Sequence, residues 1–163
     1  MMFRNKYWFL NNLYPCSIAI DIDGSIYNFR CAESAYQAFK NLGNASAFTN
    51  VDGLEAERLG KQIETDEQWE LNKEQYMEIV VSAKFIQNED LMEQLLKIDG
   101  DIINEYRYGD TYWGVVREFD HTHNQTGEPV YKFMGENKLG KILMKIRDNE
   151  LKRRGTENNG KIK

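Results

Sequence analysis

The sequence predicts an α+β fold, a single helix-rich domain with a small antiparallel β component. Three observations predict it. SIAIDIDGSIYNF alternates Ile18, Ile20 and Ile22 with polar residues and breaks at Asp23-Gly24, a hairpin pattern. VVREF and PVYKF flank the turn-rich HTHNQTGE and read as a second hairpin. Between and after them, apolar residues recur at the three- and four-residue spacing of helices.

Taken in order, Tyr7 to Leu10 is short and aromatic and reads as a strand or an extended lead-in. NNLYPCS follows as a turn, bent at Pro15. After the first hairpin, CAESAYQAFK starts a helix with Ala32, Tyr36 and Phe39 on its apolar face. LGNASAFTNVDG reads as a loop. Asp52 and Glu55 have capping-box spacing ahead of the helix LEAERLGKQ. Thr65 or Asp66 is placed to cap a longer helix to about Gln87, with Trp69, Asn72, Tyr76, Ile79, Val80 and Ala83 at helical spacing. Glu89 to Ile98 is another helix, with Leu91, Leu95 and Ile98 inward. DIINEY is a short strand and RYGDTYWG a turn-rich loop. Leu139, Ile142, Leu143 and Ile146 define the last helix. After Leu151 the sequence KRRGTENNGKIK has almost no apolar content. Residues 1–150 are therefore expected to form the domain, and 151–163 a flexible basic tail.

The 163 residues, 41% hydrophobic and 29% charged, suffice for a globular core without staples. A formal charge of -5 argues against a broad duplex-binding surface, which needs many Lys and Arg to neutralise phosphates. A small contact to one modified nucleotide remains compatible with it. Cys16 and Cys31 give neither a disulfide framework nor metal-ligand spacing. MMFRNKYWFLNNLYP lacks the apolar run of a signal peptide, and no segment has the length of a membrane span. A cytoplasmic protein with no membrane partner is expected. No stable protein partner can be inferred.

Two clusters could carry chemistry. Glu33, Gln37 and Lys40 fall on one narrow stripe of the CAESAYQAFK helix, beside its apolar face. They are either a solvated helix side with i,i+4 pairs, or a carboxylate, an amide and an amine converging on a cleft. In the second case the carboxylate stabilises positive charge or activates water, and a partly desolvated lysine acts as base or nucleophile. In DTYWG, Asp110 either caps a turn beside a core Trp113, or sets a carboxylate near an aromatic plane with Gly114 allowing close backbone approach. Asn137 reads as an N-cap, and a helix start there could bind phosphate, although capping explains it equally well. His121 and His123 lack the company of a metal site, and no metal is expected.

The pieces FLNNLYPCSI, DGSIYNFRCAESAYQAFK, AERLGK, Trp69-Glu70, SAKF, DTYWG and GENKLGKILMKIR occur in the order of one family. With the patterns ExxYQAxK, DxxWG and GxNxLGxxLMxIR, the chain resembles the NADAR (YbiA-like) family from about Phe9 to Arg147. The resemblance implies an N-glycosidase without a cofactor. Its substrates would be ADP-ribose joined to guanine in DNA, as in reversal of a toxin's modification, or phosphoribosylamino-pyrimidine intermediates of riboflavin synthesis. A non-catalytic sensor of ADP-ribose-like nucleotides is the reading from outside enzymology. Carried onto this sequence, the family pattern implies catalytic parts for Glu33, Lys40 and Asp110. It implies substrate-binding parts for Asn12, Gln37, Arg58, Trp69, Lys84, Trp113, Gly114 and Asn137. Two departures stand out: FLNNLYP where the family often has FLSNFYP, and Ser34 where it often has a histidine. The segment between Gly114 and Gly135 also looks longer than in compact members.

Overall fold

A computed structural model describes residues 3–160, with side chains through 157. The chain divides into two compact units, Asn5–Lys97 and Met1–Arg4 with Ile98–Lys163.

The Asn5–Lys97 unit begins with a 3-10 helix, Asn5–Leu10, where a strand was expected. Phe9 and Leu10 are both buried, and adjacent residues of a strand point to opposite faces; a helical turn buries both on one side. Strands β1 (Ile18–Ile22) and β2 (Ser25–Phe29) form the expected antiparallel hairpin. Asp23 and Gly24 both take positive φ, 50° and 80°, the two left-handed residues of a tight hairpin turn. The Gly24 N–H donates to Asp21 Oδ1 at 2.8 Å.

Helix α1 (Ala32–Ala38) is N-capped by Cys31, whose sulfur accepts from the Ser34 N–H. All of α1 is buried, so Glu33 and Gln37 lie inside the unit and not on a solvated side, while Lys40, beyond the helix end, is half-buried. The segment expected as a loop contains a 3-10 helix, Leu42–Phe48, burying Ala45 and Phe48 at the three-residue period of that helix. Helix α2 (Gly53–Gly60) is capped by Asp52, which accepts from the Glu55 N–H, while the Glu55 carboxylate turns to Arg58.

Helix α3 (Trp69–Gln87) starts without a side-chain cap. Thr65 and Asp66 were the expected caps. Asp66 instead accepts from the Leu42 N–H, tying the preceding turn to the 3-10 segment. The buried face of α3 is Trp69, Met77, Val80, Val81, Lys84 and Phe85, rotated from the expected stripe, and Ile79 is 40% exposed. An apolar Ile79 and a charged Lys84 mislead a reading by polarity, because here the lysine is the interior residue. Helix α4 (Glu89–Leu96) buries Leu91, Met92 and Leu95.

In the other unit, β3 (Glu105–Tyr106) pairs in parallel with β4 (Val115–His123), which pairs antiparallel with β5 (Pro129–Met134). The second hairpin is longer than VVREF and PVYKF, with His121 and His123 inside β4 and a register shift between Phe119 and His123. Helix α5 (Lys138–Gly160) buries Leu139, Ile142, Leu143 and Ile146 as expected. It also runs on through the segment expected to be a mobile tail. Glu150 bonds Arg153 and Arg154, and Arg153 reaches Glu157, so spaced charge pairs carry the helix past its apolar stripe. Residues 161–163 of that tail lie outside the described residues. Among the described residues no helix is long and apolar enough to cross a membrane.

Candidate active site

The Asn5–Lys97 unit gathers Asn12, Glu33, Gln37, Lys40 and Trp69. The stripe positions of α1 do this by helical geometry. Gln37, one turn after Glu33, donates from Nε2 to Glu33 Oε1 at 2.6 Å. The backbone N–H of Glu33 donates to the Asn12 carbonyl at 3.0 Å, and the Asn12 side chain also bonds the Glu33 carboxyl. Asn12 Nδ2 lies 3.2 Å from Met77 Sδ.

Glu33 is 9% exposed, and burial pushes its carboxyl up to about 7. The bond from Gln37 pulls the other way, Glu57 adds to the rise, and Lys40 and Asn12 oppose it more weakly. Removal from water outweighs these partners, so Glu33 exchanges a proton near neutral pH, where acid–base catalysis is most effective.

Lys40, just past the end of α1, donates to the Gly60 carbonyl at 3.0 Å and lies 5.7 Å from the Trp69 ring centre. Burial lowers its pKa, with Lys61 adding to the fall and Glu33 and Glu70 opposing it. Trp69 is 6% exposed and packs 5.0 Å from Tyr36 and 6.1 Å from Tyr76 between ring centres; Tyr76 stacks on Phe39 at 4.6 Å. Trp69 is thus a wall of the aromatic core with the lysine over one face.

Two buried acceptors here, Asn12 Oδ1 and Gln37 Oε1, have no hydrogen-bond partner. A Cβ on Gly60 would overlap Gln37 Oε1, so glycine at the end of α2 lets the Gln37 amide lie flat against the backbone. Gly60 and the ring partners Tyr36, Phe39 and Tyr76 were not among the expected site residues. Gly60 stands in AERLGK, the piece that carried Arg58, and its part depends on a packing contact that spacing does not encode.

The other expected residues of this unit lie differently. Lys84 is fully buried; its Nζ donates to the Asn11 carbonyl at 2.8 Å, and burial pulls its pKa down to about 8. It holds the turn that carries Asn12. Arg58 is exposed on α2, its Nε donating to Glu55 at 3.0 Å. A groove of about 710 Å³ on this unit is lined by residues including Cys16, Tyr27, Arg30 and Asn50, and it includes none of the expected residues.

In the other unit, Asp110 Oδ1 accepts from the N–H groups of Tyr112 and Trp113 at 2.9 and 2.8 Å, closing the DTYWG turn. Trp113 is half-buried and packs edge-on to Tyr112, 4.9 Å between centres. A Cβ on Gly114 would meet the Asn104 carbonyl and the Tyr106 ring, so the close approach at this glycine is to its own neighbouring strand. Asn137, at φ 53°, accepts from the Asn104 N–H and donates to the Ile102 carbonyl, both at 2.9 Å. The N–H groups of residues 136–139 all donate to carbonyls of 111–114. The start of α5 is therefore occupied by the DTYWG loop, whose carbonyls take the N–H groups that the phosphate alternative for this helix start would use. Among the described residues, no three His, Cys, Asp or Glu converge as a metal site.

The NADAR domain family matches this sequence over residues 2–151. The chain belongs to the NADAR family. The structure of Escherichia coli YbiA, solved by NMR, aligns with a TM-score of 0.68 at 24% identity, covering 94% of this chain and 86% of that one. It shares this α+β fold. A riboflavin biosynthesis protein of Vibrio vulnificus is 29% identical over 148 residues, 86% of this chain and 35% of that protein. An N-glycosidase of Acanthamoeba polyphaga mimivirus is 42% identical over 65 residues, 40% of this chain and 36% of that protein. This NADAR chain thus spans about a third of the length of these curated relatives.

Proposed function

We propose that this NADAR protein is an N-glycosidase that hydrolyses the bond between a ribose and a nitrogenous base, with ADP-ribose on guanine in DNA as its substrate. The observation that carries the reading is Glu33: a buried carboxyl raised to about 7, held by Gln37 and Asn12, in one cluster with a desolvated Lys40. Breaking the C1′–N bond sends its electron pair to the base and leaves positive charge at C1′. A deprotonated Glu33 stabilises that charge and takes the proton of the attacking water. Lys40 offers a second route, in which its neutral amine displaces the base at C1′, the ribose ring opens to a Schiff base, and water hydrolyses that to release the sugar and restore the amine. The name of the mimivirus relative supports the bond class.

A phosphoribosylamino-pyrimidine of riboflavin synthesis is the second substrate reading, favoured by the Vibrio relative, whose match covers most of this chain. The two substrates share the bond and differ in the group that leaves. Mass spectrometry of parallel reactions separates them. An oligonucleotide carrying ADP-ribosylated guanine is expected to release ADP-ribose and regain guanine. Release of ribose 5-phosphate from the pyrimidine alone would move the protein to metabolite hydrolysis. Binding of ADP-ribose without turnover of either would replace catalysis by sensing.

A further inference from the structure

The ribbon β4–β5 carries an exposed aromatic row that the chemistry of Glu33 does not use. Arg117 stands opposite Phe133, and Phe119 opposite Tyr131, so these four side chains share one face of the ribbon. Phe119 is 38% exposed, Tyr131 52% and Phe133 45%. The Arg117 guanidinium lies over both Tyr131 and Phe133, 5.6 and 5.7 Å from their centres, and its Nε is held by Glu105 at 3.0 Å. The Phe119 ring lies 5.9 Å from Tyr131, and the His121 and His123 rings stand at 5.1 and 5.8 Å from Phe119. Glu118 and Lys132, opposite each other, occupy the other face.

We propose that this row is a platform for the unpaired bases of single-stranded nucleic acid. Flat rings with a guanidinium among them stack on any base, whereas paired bases have no free faces to offer. Same-face positions recur every ~7 Å along a strand, so the row gives successive bases successive rings. β4 begins immediately after Gly114, and the N–H groups of residues 136–139 tie the far end of the hairpin to carbonyls of the Asp110–Gly114 loop, so both ends of the ribbon are anchored in its own unit. The platform rests on the reading that the target base is part of a nucleic acid.

The test is binding of an unmodified, fluorescently labelled 12-mer of thymidine by anisotropy, which needs no turnover. The intact protein is expected to bind the single strand and to bind the same length of duplex more weakly. Phe119→Leu and Tyr131→Leu keep apolar bulk but remove the ring, and each should weaken binding ~5- to 100-fold. Photocrosslinking of a bromouracil-substituted strand to the unmutated protein should label the peptide 115–134. No binding, equal binding by the variants, crosslinks confined to other segments, or a variant effect traced to loss of self-association would overturn the platform. Failure of the glycosidase reading alone would leave strand binding intact. If that reading holds, the same variants should cleave an ADP-ribosylated guanosine mononucleotide as the wild type does.

Discussion

Glu33→Gln should make the protein more stable at pH 8 and change little at pH 4. In the unfolded chain the carboxyl titrates near 4.5, whereas in the folded protein it titrates at about 7. Below both values the acid is neutral in each state and costs nothing. As pH rises from 4.5 to 7 the unfolded chain gives up its proton while the folded chain keeps it, so stability falls across that window and stays lower above it. A difference of this size corresponds to ~3 kcal/mol at most, and rearrangement around the charge reduces it to ~1–3 kcal/mol. Glutamine fills the same space, and its amide oxygen can still accept from Gln37 Nε2. The expected result is a Tm for Glu33→Gln at pH 8 above wild type by ~3–10 °C, and within a degree or two of it at pH 4. Calorimetry or far-UV circular dichroism at the two pH values measures this. A variant less stable at pH 8, or a gain of equal size at both pH values, would refute the claim that Glu33 is held at a cost to the fold.

Three further substitutions test the surroundings. Gly60→Ala places a methyl where Gln37 Oε1 lies; the amide is a movable end, so stability should change by less than ~1 kcal/mol while Glu33 loses its donor and its titration, followed by carboxyl NMR, moves upward by ~1 pH unit. Lys84 has its pKa lowered to about 8, so its charge burdens the fold below that pH and the burden lifts as pH rises to 10.5; denaturant titration should show the wild type gaining on Lys84→Met across that range, and a constant difference would contradict it. Asn137→Ala leaves the Asn104 N–H and the Ile102 carbonyl without their partner at a residue of positive φ, and should cost ~2–4 kcal/mol in urea denaturation.

The parts of the molecule legible in the sequence are those set by local rules. The Asp23-Gly24 hairpin, the Asp52 cap and the apolar stripe from Leu139 to Ile146 follow from turn chemistry, capping and period. The grouping of Glu33 with Gln37 and Lys40 followed from helical spacing, and their position beside the apolar face hinted at burial. What sequence could not show depends on contacts between distant segments. Lys84 is interior because the Asn11 carbonyl, 73 positions away, receives its ammonium, and polarity alone places such a residue outside. Gly60 looks like an ordinary helix end until Gln37 is packed against it. The start of α5 could be read as a phosphate site or as a plain cap because nothing in its own sequence announces that the DTYWG carbonyls occupy its amides. The helix beyond Leu151 was missed because its support is charge pairing and not apolar periodicity.

The central claim is that Glu33 works on the glycosidic bond. The most direct measurement is single-turnover cleavage by wild type and Glu33→Gln, side by side, on whichever ribosylated substrate the wild type cleaves, with ligand affinity measured on the same samples. The account predicts a rate lower by ~100-fold or more in the variant, with affinity within a few-fold of wild type. Wild-type turnover in the variant, or parallel loss of affinity and rate, would contradict it and leave Glu33 as a binding or structural residue.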